Sequence, residues 1–65
     1  MIALCKSFYP IFVIQKAIED FKGICTITIF ETKNYYELSF YIKDEKENSS
    51  IIEKEFCNYC LSIAR

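Results

Sequence analysis

The spacing of apolar residues changes character along the chain, and each change marks an element. Residues 2 to 8, IALCKSF, alternate with a period of two: Ile2, Leu4 and Phe8 share one face, and Ala3, Cys5 and Ser7 the other, as in a strand. Pro10 then supplies the fixed backbone angle favoured in the first turn of a helix. Gly23 stands where a helix C-terminus accepts a residue in the left-handed conformation. Between them Ile11, Ile14, Ala17, Ile18 and Phe21 fall within a sector of about 120°, with Lys16, Glu19 and Asp20 pointing away, which is the stripe of a helix lying on a sheet. Phe12 breaks the pattern and projects to the polar side near Lys16 and Glu19.

Period two returns in ICTITIF, residues 24 to 30, and in YYELSFYI, residues 35 to 42, with the polar turn ETKN between them; together they predict an antiparallel hairpin. Tyr36, Leu38, Phe40 and Ile42 form the apolar face of the second arm, opposite Tyr35, Glu37, Ser39 and Tyr41. In the first arm Cys25, Ile27 and Ile29 oppose Ile24, Thr26, Thr28 and Phe30. The mixed face therefore carries Phe30, Tyr35 and Tyr41. After it comes KDEKENSS, a solvated connection holding Asp44, Glu45 and Glu47. It ends in an N-cap, Ser49 or Ser50, with Glu53 three residues after Ser50 to complete a capping box. The last helix has its apolar stripe at Ile52, Phe56, Tyr59, Cys60 and Ile63. Lys54, Asn58, Ser62 and Arg65 face away, and Cys57 lies at the flank, about 60° round from Cys60.

Strand, helix, strand, strand, helix, with both helices needing cover, predicts an α+β two-layer sandwich: a three-stranded sheet with two helices on one face. A right-handed crossover through the first helix makes the first two strands parallel, and a third strand between them gives a split βαβ unit, a ferredoxin-like half lacking its final strand. The first strand is then an open edge on which another chain can pair.

Sixty-five residues make one small domain, residues 1 to 65. A chain of this size buries only about 60% of the surface exposed on unfolding, so a partner or a second copy would supplement its stability. With 52% hydrophobic and 17% aromatic residues the composition is that of a folded protein. Eight basic and nine acidic residues leave a net charge of −1 and no basic field for nucleic acid or an anionic membrane. The apolar start lacks a basic leading segment, is interrupted by Lys6 and Pro10, and has no small-residue cleavage site; no apolar run approaches the roughly 18 residues a membrane span needs. These features predict a cytoplasmic protein whose four cysteines are reduced thiols.

Histidine is absent, which removes the commonest general base and metal ligand, and a single glycine rules out a glycine-rich phosphate loop. The reading is of a protein that is not an enzyme and carries no cofactor. Cys57 and Cys60, in EFCNYCL, are the candidates for a metal or redox site. Zinc would need two more ligands, for which Cys5 and Cys25 are isolated, and a redox cysteine belongs at a helix N-terminus rather than in the last turns. Small apolar packing residues are the simpler account of both.

Two segments, FYPIFVIQKAIEDFKGICTITI and EKEFCNYCL, resemble the small protein D of the His-Xaa-Ser system, HxsD. Tyr9, Pro10, Ile14, Ala17 and Phe21 match the first part of the family pattern, and Glu55, Phe56, Asn58 and Leu61 the second. Cys57 and Cys60 stand where that family tends to have leucine, and SIAR replaces its acidic and Leu-Arg ending. The resemblance implies a non-catalytic role beside radical S-adenosylmethionine enzymes that modify a ribosomally made peptide, as an accessory protein holding the maturase or its precursor peptide. Partner contact is then expected at the exposed aromatics Phe12, Tyr35 and Tyr41 and at the outward-facing Glu55 and Asn58. Two alternatives stand beside it: a structural or regulatory homodimer, and a small thiol metalloprotein.

Overall fold

A computed structural model describes residues 1–44 and 46–64. Five elements follow in the expected order: β1 (Ile2–Cys5), α1 (Ile11–Phe21), β2 (Cys25–Glu31), β3 (Tyr35–Ile42) and α2 (Ser49–Ala64). The sheet order is β1-β3-β2, and β3 pairs antiparallel with both neighbours, so β1 and β2 run parallel to one another. The fold is α+β, with both helices on one face of the three-stranded sheet. Glu45 and Arg65, expected in the solvated connection and on the outer face of the last helix, lie outside the described residues.

Alternation decides which sheet face is covered. Leu4 on β1, Cys25 and Ile27 on β2 and Tyr36, Leu38 and Phe40 on β3 turn toward the helices. Leu4, Cys25 and Leu38 are buried there and the other three half-buried. Above them Ile14 and Ala17 of α1 and Phe56 and Cys60 of α2 are fully buried. Phe56 is the hub: its ring meets Phe21 edge-on at 5.2 Å and Phe40 edge-on at 5.3 Å, tying both helices to the sheet. Among the described residues no layer covers the opposite sheet face.

Several expectations shift in detail. The first strand stops at Cys5 because the Cys5 carbonyl accepts the amides of Phe8 and Tyr9, turning the chain before Phe8 can continue the alternation; Phe8 is 72% exposed. On α1 the buried sector is rotated from the expected one. Val13 is fully buried while Ile11 is 38% exposed, because this helix packs against α2 as well as the sheet. Ile29, at the outer end of β2, is also exposed.

The helix ends differ as well. Pro10 is the N-cap of α1, one position before the first turn, and its carbonyl accepts the amides of Val13 and Ile14. Gly23 does not adopt a left-handed conformation. The end of α1 is closed instead by the short-range bonds Lys22 N–H to Glu19 carbonyl and Ile24 N–H to Phe21 carbonyl. The Lys43 ammonium adds a bond to the Lys22 carbonyl at 2.7 Å. On α2 the cap is Asn48, not Ser49 or Ser50: its Oδ1 accepts the amides of Ser50 at 2.9 Å and Ile51 at 3.4 Å. Glu53 does not reach back to close a capping box but binds the Met1 ammonium at 2.9 Å.

Candidate functional site

Helical spacing builds a groove along α2. Ser50, the pair Glu53 and Lys54, and the pair Cys57 and Asn58 stand three or four residues apart, one turn after another, so they line one flank of α2. With Ile2 of β1 they enclose a groove of about 400 Å³. Its walls are mixed: the aliphatic Ile2, a carboxylate and an ammonium side by side in sequence, a hydroxyl, an amide and a thiol. Burial first, and the Glu53 carboxylate second, push the Cys57 thiol up, so it is a neutral donor rather than a nucleophile. The lining offers hydrogen-bond donors and acceptors beside one aliphatic wall.

The groove lies beside a free strand edge. Lys6 N–H bonds the Asn34 carbonyl at 2.9 Å, which fixes the phase of the β1–β3 ladder: Ile2 and Leu4 exchange bonds with β3, and the backbone groups of Ala3 and Cys5 turn outward. The Cys5 carbonyl is consumed by Phe8 and Tyr9. This leaves the Ala3 amide and carbonyl and the Cys5 amide for an added strand.

The expected contact residues do not converge. Asn58 lines the groove, while Glu55, exposed on the same helix, is outside its lining. Phe12 is 66% exposed on α1. Tyr35 and Tyr41 lie on the uncovered sheet face with Phe30, Thr26 and Thr28, on the side of the sheet away from both helices. Ile2, Ser50, Glu53, Lys54 and Cys57 were not expected as a set. The 50, 53, 54, 57, 58 spacing was the available signal, but it reads as a solvated flank until β1 is set against it.

Cys57 and Cys60 diverge, one half-buried in the groove wall and the other fully buried in the core. Burial, with a smaller contribution from Cys57, pushes the Cys60 thiol up to about 11. Among the described residues no group of three or more His, Cys, Asp or Glu is arranged to hold a metal ion, and no helix is long and apolar enough to cross a membrane. No family model matches the chain, and no curated protein or solved structure does so either.

Proposed function

We propose that this protein is a non-catalytic accessory protein in the modification of a ribosomally made peptide, holding a radical S-adenosylmethionine maturase or its precursor peptide. The observation that carries the reading is the groove between β1 and α2, whose wall includes Asn58, one of the residues on which the resemblance to HxsD rests. An extended segment could bond the outward Ala3 and Cys5 groups while its side chains enter the groove, the general mode of strand addition at a sheet edge. A cytoplasmic location and reduced thiols accompany this reading.

The first test is genomic: a radical S-adenosylmethionine enzyme and a short precursor gene should lie beside this one. The purified protein should then bind that enzyme or that peptide, measured by fluorescence anisotropy. Asn58→Arg should weaken binding about tenfold with an unchanged circular dichroism spectrum. Phe12→Glu and Tyr41→Glu report on the other two surfaces. Binding to neither partner would remove the reading, and binding lost only in the Tyr41 variant would move the contact to the uncovered sheet face.

A further inference from the structure

The second sheet edge, β2, is the less protected one. Two bonds set the phase of its ladder with β3: Lys43 N–H to the Ile24 carbonyl at 3.2 Å and Thr32 N–H to the Tyr35 carbonyl at 2.9 Å. Even-numbered residues of β2 therefore bond β3, and the amides and carbonyls of Cys25, Ile27, Ile29 and Glu31 all turn outward. The edge is seven residues long against four for β1, and from Cys25 to Phe30 it contains no proline and no charge, the usual devices that keep an edge from pairing.

We propose that β2 pairs antiparallel with β2 of a second copy of this chain, about a two-fold axis at Thr28, forming a continuous six-stranded sheet. The strand is self-complementary in that register. Cys25 falls opposite Glu31 of the other copy and Ile27 opposite Ile29, so every outward amide meets an outward carbonyl. Thr28 meets its own counterpart in a pair without hydrogen bonds. Ile29, 41% exposed on the helix side, gains cover from the opposing Ile27. The one charge on the strand, Glu31, is already paired with Lys6 of its own chain at 2.5 Å, so it brings no unpaired charge to the seam. No like charges face each other across the axis, and the isologous arrangement closes on two copies. The dimer leaves the β1 groove free, so it stands or falls separately from the accessory role.

Sedimentation velocity on the full chain should show a dimer at micromolar concentration. Thr28→Lys puts two ammonium groups face to face on the axis and should raise the dissociation constant about tenfold; Thr28 is exposed, so circular dichroism should not change. Under mild oxidation Thr28→Cys should give a disulfide-linked dimer on a denaturing gel, because only that position meets itself, whereas Thr26→Cys, opposite Phe30 of the other copy, should give no more than the parent's own thiols. A monomer throughout the concentration range would overturn the proposal and leave the edge to a different chain. A dimer indifferent to Thr28→Lys, or equal cross-linking at both positions, would also overturn it.

Discussion

The Tyr59 hydroxyl donates a hydrogen bond to the Asp20 carboxylate, joining α2 to α1 across 39 residues of sequence. Lys16, one turn before Asp20, holds the same carboxylate with contacts of 2.7 and 2.8 Å. The aromatic body of Tyr59 packs against Phe21 while its polar tip closes this bridge, so one side chain serves both the apolar seam and the helix surface.

That bridge makes stability depend on pH at both ends. The Lys16 and Tyr59 hydrogen bonds hold the Asp20 carboxyl below its ordinary value, so its contribution is present above the unfolded carboxylate's pKa and is lost as pH falls through the lower folded value. The Asp20 hydrogen bond pushes Tyr59 up, so its contribution is present below the ordinary tyrosine value and is lost as pH rises through the higher folded one. Tyr59→Phe should therefore lower the melting temperature at neutral pH, and the gap from the parent should narrow in acid and in strong alkali. A gap constant from acid to alkali would show that the bridge contributes nothing.

Adjacent residues on α1 should respond in opposite ways. Val13 is fully buried and Phe12 is 66% exposed. Val13→Asp should unfold the protein or cost several kcal/mol, about the 3 or more that a buried unpaired charge exacts. Phe12→Asp should stay within about 0.5 kcal/mol of the parent. Urea denaturation followed by circular dichroism measures both.

Capping offers a third comparison. Asn48→Ala removes the acceptor for the Ser50 and Ile51 amides and should cost about 0.5–2 kcal/mol. Ser50→Ala leaves those bonds in place and should cost little. Equal losses in the two variants would return the cap to serine.

Thiol chemistry can be read directly by mass spectrometry after brief alkylation of the native protein. Cys5 and Cys57 are half-exposed and should be modified first; Cys25 and Cys60 are buried, their thiols pushed up by burial, and Cys60 should be last. Denaturant should abolish the order. Reduced protein prepared without added metal should contain no stoichiometric zinc, and one zinc per chain would revive the thiol-metal alternative.

Element order and the stripe of α2 were legible because they depend on local periodicity: Ile52, Phe56 and Cys60 recur at intervals of four and are buried as their spacing requires. On α1 the sector was misplaced by roughly 40°. Sequence gives the width of an apolar face, but the neighbouring α2 decides which flank is covered, which brought Val13 in and left Ile11 out. The cap was misread because Ser50 and Glu53 satisfy a local rule while Glu53 is engaged by the distant Met1 ammonium. The groove was not legible for the same kind of reason, since it exists only once Ile2 is brought against residues about fifty positions away in the chain.

Lys43 closes the end of α1 from 21 residues downstream, at the far end of the hairpin. A peptide spanning only the first strand and helix would lack that donor and fray at its last turn. The helix end, closed locally by the Lys22 and Ile24 amides, thus gains a further bond from the segment that follows it. Helix closure and strand pairing are linked at this one bond.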